Sequence, residues 1–503
     1  MVSTSEAIHY LLESSKKIKN INNFIDDSFN EASGQTIESE NPATGQVWLQ
    51  FKESSAENVD AAVKAASAAF ESWSTTSREY RSGLLNKVAD ILETNLEGLA
   101  FLESKDQGKT VKIARSIEIP RCVHNFRTFA SAILHHTNSS VIQEQPVKAL
   151  NFVKNDPIGV AALISPWNLP LYLISFKLAP ALATGNTVVC KPSELTSATA
   201  WVLFHAFAEA GFPAGVVNLV LGTGPVTGQA LVSHPKTSLI SFTGSTVVGR
   251  KIAGIAAAGL KKVSLELGGK NAAIIFPSVN MEADMATIVR SCFANQGEIC
   301  LCTSRLYVHN TIFQHFVDKF VNETNKLKVG DPEEVGSDLG ALVSRTHFNK
   351  VSSYIDLAKQ EGLEIACGGA NKDSSINLNE RCQKGYFIAP TVIIGAADES
   401  RLMQEEIFGP LVCITSFEGV EEVIQRANAL PYGLSASVWS KDVDEITTVS
   451  TKLRVGTVWC NCWLVRELNM PFGGTKESGI GREGVTDSIH FFTEAKNVCL
   501  KLN

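Results

Sequence analysis

Apolar residues at Val59, Ala62, Val63, Ala66, Ala69, Phe70 and Trp73 recur at three- and four-residue steps, which predicts an amphipathic helix over 56–73; the same rhythm predicts another over 79–98. From 159 onward the pattern changes. Short apolar runs rich in β-branched residues, at 160–164, 187–190, 216–220 and 239–242, alternate with longer segments of helical period. Strand, helix, strand in that cadence predicts a parallel sheet with helices on both faces, an α/β class of fold suited to a nucleotide. A second α/β region opens after Gly268-Gly269, where 272–276 reads as a buried strand and 282–294 as a helix leading into Cys300; it continues to about residue 467. Two distant stretches, 149–153 and 497–502, alternate well enough to be strands but have no sheet in their own neighbourhoods, so they suggest a third, small β unit. No internal repeat or low-complexity tract interrupts the chain.

Composition narrows the classes of function. A chain of 503 residues exceeds what one core usually serves, and 44% apolar with 19% charged residues is the make-up of a compact protein rather than a disordered one. The net charge of −7 is spread without a long basic block, so a nucleic-acid partner is not expected. Eleven cysteines, an odd number with irregular spacing and no paired Cys-x-x-Cys framework, fit reduced thiols inside a cell, and no histidine spacing beside them supports a metal site. No apolar run reaches membrane-spanning length, and the first twenty residues mix Glu6 and Glu13 with Lys17 and Lys19 in place of a secretory core, so a cytoplasmic location is expected.

Three segments carry candidate chemistry. Gln296-Gly297-Glu298-Ile299-Cys300 sets a thiol among flanks too polar for a core strand, although a buried inert thiol is the common fate of a free cysteine. Leu265-Glu266-Leu267-Gly268-Gly269 sets a carboxylate among glycines, either a base or a strand-end group satisfied by glycine amides. Ser165-Pro166-Trp167-Asn168 follows the run 160–164 and offers an amide donor of the kind a developing oxyanion requires. For a dinucleotide, Gly222-Thr223-Gly224-Pro225-Val226-Thr227-Gly228 is misspelled, with an extra residue and a proline inside it. Thr243-Gly244-Ser245, where a strand runs into a helix start, fits a pyrophosphate better, though an ordinary capped helix reads the same way.

These segments, together with Phe176-Lys177-Leu178-Ala179-Pro180, Lys191-Pro192-Ser193-Glu194, Glu405-Glu406-Ile407-Phe408-Gly409-Pro410 and Pro471-Phe472-Gly473-Gly474, resemble the aldehyde dehydrogenase superfamily in order and spacing over the whole chain after about residue 20. The resemblance implies an NAD-binding domain from 20–137 and 157–268, a catalytic domain over 269–467, and a small β oligomerisation element from 138–156 and 484–503, hence a homodimer or homotetramer. It implies that the Cys300 thiolate attacks an aldehyde, that Asn168 and the Cys300 N–H stabilise the oxyanion, that hydride leaves to NAD, and that Glu266 activates the water that hydrolyses the thioester. Lys177 and Glu483 match positions thought to relay protons. Trp167, Lys191, Glu194, Gly244, Ser245, Glu406 and Phe408 match cofactor positions. Glu194 accepts from ribose hydroxyls and repels a 2′-phosphate, which favours NAD over NADP.

Within the superfamily the chain most resembles the 2-aminomuconic semialdehyde dehydrogenase group, on Ser104-Lys105-Asp106-Gln107-Gly108-Lys109-Thr110, Ile119-Pro120-Arg121, Ile299-Cys300-Leu301-Cys302-Thr303 and Asn461 to Asn469. That likeness implies that Arg121 and Arg466 bind the carboxylate end of a semialdehyde such as 2-aminomuconate 6-semialdehyde, an intermediate of tryptophan breakdown; guanidinium forks suit a carboxylate. Other semialdehydes, aliphatic aldehydes and retinal remain alternatives. An acylating dehydrogenase that passes its acyl group to coenzyme A would lack Glu266, and a structural protein recruited from the fold would be expected to lose Cys300 or Glu266.

Overall fold

The computed structural model describes residues 2–13, 17–369, 376 and 378–503. Two parallel sheets organise the molecule. In the first, the strands run Lys262–Glu266, Thr237–Thr243, Val160–Ile164, Thr187–Lys191 and Val217–Leu219 side by side and parallel. Antiparallel pieces close its edges, Gly479–Ile480 at one end and Asn23–Ile25 with Ser28–Asn30 at the other. Side chains alternate along the central strands: Ala161, Leu163, Val188 and Leu239 pack on one side with Phe126, Leu178 and Leu203, while Val160, Ala162, Val189 and Ile240 pack on the other with Val59, Val63 and Ile252. Both faces are therefore dry, as the unbroken apolar runs require.

Chain order reverses at Val160–Ile164, with Thr237–Thr243 on one side of it and Thr187–Lys191 on the other. A crevice opens at the carboxyl ends of strands where such a reversal occurs. In the second sheet the order is Glu364–Cys367, Thr391–Ile394, Leu411–Phe417, Thr303–His309, Asn271–Ile275, Ser435–Trp439 and Thr457–Cys460, all parallel except the first. Only Leu267, Gly268, Gly269 and Lys270 join the last strand residue of one sheet, Glu266, to the first of the other, Asn271. The two distant alternating stretches pair with each other: Ala149–Pro157 and Thr493–Lys501 are antiparallel from Pro157 opposite Thr493 to Ala149 opposite Lys501, and Ser140–Gln143 adds an exposed edge strand.

One expected element is divided. The helix read over 79–98 is two, Arg78–Thr94 and Leu96–Gln107. Asn95 leaves helical geometry at φ −100°, and its side-chain amide donates to the Ile91 carbonyl at 2.8 Å, ending the first helix. Asparagine competes for backbone partners in this way, which the apolar periodicity does not register.

Candidate active site

Parallel strands deliver their carboxyl-end residues to one edge, and the second sheet meets that edge with the amino ends of its strands. Asn168 and Trp167 follow Val160–Ile164, Glu266 ends Lys262–Glu266, and Cys300 precedes Thr303–His309. A cavity of about 510 Å³ is lined by Asn168, Glu266, Cys300, Arg121, Arg466 and Glu483, among others. Candidate nucleophile, base, oxyanion donor and both arginines thus face one space.

Cys300 is held by an unusual backbone. The helix Met281–Phe293 ends in a turn in which Asn295, Gln296 and Gly297 take φ of 52°, 56° and 72°. A Cβ on Gly297 would lie 2.2 Å from the Gly409 carbonyl oxygen, so only glycine fits. Beyond the turn, side chains fix three successive carbonyls: Asn271 Nδ2 donates to those of Cys300 and Cys302 at 2.7 and 2.9 Å, and Trp463 Nε1 to that of Leu301 at 3.1 Å. Asn271 Oδ1 in turn accepts the Ser435 N–H at 3.1 Å, tying the loop to the sheet. Burial pushes the Cys300 thiol up, Glu266 and Glu406 add to that, and Arg466 opposes it. Its deprotonation therefore needs a base at hand.

Glu266 is buried, its Oε1 has no hydrogen-bond partner, and burial followed by the Glu483 carboxylate raises it well above the usual carboxylate range, against the opposing pull of Lys177, Arg466 and Arg482. A poised, unsatisfied carboxylate beside a thiol is the environment expected of a general base. Lys177 Nζ meets Glu483 at 3.3 Å and donates to Ser241 Oγ at 3.0 Å, forming a buried polar chain behind Glu266. Asn168 gives one amide proton to the Glu298 carbonyl at 2.9 Å and keeps the other.

The Arg466 guanidinium lies 4.0 Å from the Phe472 ring centre and 4.7 Å from that of Phe176, while Nη1 donates to Tyr172 Oη at 2.8 Å. Its Nε and Nη2 are buried without a partner. Arg121 sits 5.8 Å over the Tyr172 ring and reaches the Arg466 carbonyl at 3.5 Å, so the two arginines converge on one tyrosine.

The expected cofactor residues lie outside that cavity, along the same sheet edge. Ser245 caps the helix Thr246–Ala258, accepting the Val248 N–H at 3.4 Å, and the Gly244 N–H donates to the Glu266 carbonyl at 3.0 Å. Val247 and Val248 in that first turn are exposed at 62% and 41%, an apolar patch beside open helix N–H groups. Lys191 Nζ donates to the Pro192 carbonyl at 2.8 Å and lies 3.6 Å from Glu194. Across the crevice, Glu406 accepts the Gly269 N–H at 2.9 Å; Phe408, at φ 62°, packs edge-on to Trp167 with ring centres 5.3 Å apart. An anion-receptive helix start, a carboxylate on each side of the crevice and an aromatic wall together fit a dinucleotide. The glycine-rich stretch after Val217–Leu219 is instead tied down from behind, its Thr223 N–H donating to Glu53 at 3.1 Å and Thr227 Oγ1 to the Ser54 carbonyl at 2.8 Å. Among the described residues no group of three His, Cys, Asp or Glu could hold a metal ion.

Asn271, Trp463, Tyr172 and Ser241 escaped the reading of the sequence. Asn271 had a signal, since it directly follows the glycines after Glu266; the other three belong to apolar or strand-like runs in which nothing marks a polar contact.

A family model described as "Aldehyde dehydrogenase family" matches residues 29–498. Among curated proteins, the chain is 54% identical to 2-aminomuconic semialdehyde dehydrogenase of Danio rerio, covering 96% of this chain and 98% of the relative. It is 53% identical to the protein of that name from Homo sapiens, with the same coverage. Among solved structures, an NAD+ complex of aldehyde dehydrogenase from Bacillus cereus superposes with a TM-score of 0.93 at 38% identity, covering 100% of this chain and 99% of the other.

Proposed function

Since the chain belongs to the aldehyde dehydrogenase family, we propose that it oxidises an acidic semialdehyde of the 2-aminomuconate 6-semialdehyde type to the carboxylate, with NAD as oxidant. The observation that carries the substrate class is the Arg466 guanidinium, clamped between Phe176 and Phe472 with two buried donors unpaired in the wall of the cavity that holds Cys300. An unpaired buried donor is costly, and a turn of the guanidinium toward a carboxylate in the cavity would satisfy both at once. The names of the relatives agree with that class.

The chain's own groups account for the acyl transfer. Glu266 takes the thiol proton, and Cys300 Sγ bonds to the aldehyde carbon while the carbonyl π pair moves onto oxygen. The free amide proton of Asn168 meets that oxygen; loss of one such donor typically lowers rate by roughly 10²–10³. The oxygen pair then returns to carbon to re-form C=O as the C–H pair leaves as hydride; Gly244, Ser245, Lys191, Glu194, Glu406, Phe408 and Trp167 would hold NAD, which would supply the hydride acceptor. In the thioester that remains on Cys300, Glu266 removes a proton from water, the resulting hydroxide adds to the acyl carbon, and the C–S bond breaks to return the thiolate. Lys177 and Glu483 stand behind Glu266 as a route for its proton. The exposed edge strand Ser140–Gln143, with Val141 and Ile142 uncovered, supports a homodimer or homotetramer. Among the described residues no helix is long and apolar enough to cross a membrane.

The test is NADH formation by the purified protein with a freshly generated muconic-type semialdehyde and with a neutral aliphatic aldehyde, each with NAD and NADP. A strong preference for the acidic substrate with NAD is expected. Equal turnover of the neutral aldehyde would reduce the substrate class to a general one.

A further inference from the structure

The stretch Ser104 to Thr110 is among the most distinctive in the chain, yet none of it lines the candidate active site. In the fold, Gly108 ends the helix Leu96–Gln107 at φ 96° and turns Lys109 into the interior, where its side chain is wholly buried. There Lys109 pairs with Glu118, delivered by the π-helical turn Ala114–Glu118, and donates to the backbone carbonyl of Asn168 at 2.9 Å. Glu103 stands beside them and accepts the Leu171 N–H at 3.1 Å. The one cation pairs with Glu118 alone, and Glu103 Oε2 and Glu118 Oε1 have no hydrogen-bond partner.

Burying such a cluster is expensive, and replacing it by apolar residues is often neutral or better for stability. Lys109 bonds the turn that carries Asn168, and Glu103 accepts from Leu171 in the first turn of the helix Pro170–Ala183 that follows it. From the far side Asn295 Nδ2 donates to the same Asn168 carbonyl at 3.2 Å. We propose that Lys109, assisted by Glu103, is a positioning residue for Asn168. It fixes the backbone so that the side-chain amide, tied by one proton to the Glu298 carbonyl, presents its second proton to the reacting oxygen without reorganising. Preorganised donors stabilise developing charge for that reason, and small misplacements are costly. The inference rests on the oxyanion role of Asn168 in the proposed reaction.

Lys109→Met removes the donor and leaves both carboxyl groups free to hold protons. The expected result is a pre-steady-state NADH burst slowed about 10- to 100-fold. Affinity for NAD and the rate of Cys300 alkylation by iodoacetamide stay near wild type, which a general loosening of the fold would not allow. Asn168→Ala alone slows the burst, and Lys109→Met/Asn168→Ala is no slower than Asn168→Ala, because both changes act through one amide. Lys109→Met/Glu118→Gln, with no buried charge pair, keeps the melting temperature but not the burst, and it gives the same reading if Lys109→Met fails to fold. A wild-type burst in the Lys109 variants, or losses that multiply with Asn168→Ala, would overturn the inference. An unaffected burst in Asn168→Ala would instead remove the oxyanion role on which it rests.

Discussion

Replacing Arg466 by methionine separates substrate recognition from everything else the site does. Its guanidinium has one hydrogen bond, to Tyr172, and two aromatic faces against it, so methionine can fill the slot between Phe176 and Phe472. A carboxylate on Nε and Nη2 would make two charge-assisted bonds, worth about 1.5–3 kcal/mol each. In the variant that carboxylate regains water in the open cavity, so the net loss is near the lower end, about 3 kcal/mol or roughly 10² in kcat/KM. A neutral aldehyde makes no such bonds. It suffers only the shared effect of removing a positive charge that favours both the Cys300 thiolate and the Glu266 carboxylate. Stability should hold or rise, since the change removes two buried unpaired donors. NADH formation with an acidic and a neutral aldehyde, alongside thermal unfolding, reads all three quantities. Equal losses on both substrates, or a large fall in melting temperature, would refute the carboxylate receptor and make Arg466 a structural residue.

Two other perturbations probe the base and the nucleophile's turn. Glu483→Gln removes the second-largest influence holding Glu266 in its protonated form, after burial, and frees Lys177 to favour the carboxylate; because the base works only when deprotonated, the rise of deacylation with pH should move to lower pH, and an unmoved or upward-shifted limb in the pH–rate profile would contradict the coupling. Gly297→Ala forces a Cβ onto the Gly409 carbonyl at φ 72°, with about 1–2 kcal/mol of left-handed strain added to the clash; lower stability in denaturant and slower Cys300 alkylation are expected, and near-wild-type values in both would show that the turn can relax.

Local surroundings singled out Cys300, Glu266 and Asn168, with glycines around the carboxylate, polar flanks around the thiol and an amide after a strand, but their proposed roles came from the family resemblance. Gln296 and Glu298, read as too polar for a core strand, are buried in and just after a turn of positive φ. Strands were legible through their unbroken apolar runs, and the third sheet through two alternating stretches that lacked neighbours. What the sequence hid was every contact made at a distance. Nothing near Trp463 announces that its indole holds the Leu301 carbonyl, and nothing near Tyr172 announces two arginines, since an aromatic in an apolar run reads as packing. The break at Asn95 was hidden for another reason: apolar period reports which face is buried, not where a side-chain amide takes a carbonyl from the helix.

The tetrapeptide between Glu266 and Asn271 works as a tether. Four residues span at most about 14 Å when fully extended, and this segment joins the base at the end of one sheet to the amide that holds the Cys300 carbonyl at the start of the other. A second crossing, between Thr457–Cys460 in one sheet and Gly479–Ile480 beside Glu266 in the other, braces the same junction. The spacing of Glu266 and the Cys300 loop is thereby set by chain length and one amide hydrogen bond, with no contact across the crevice required to maintain it.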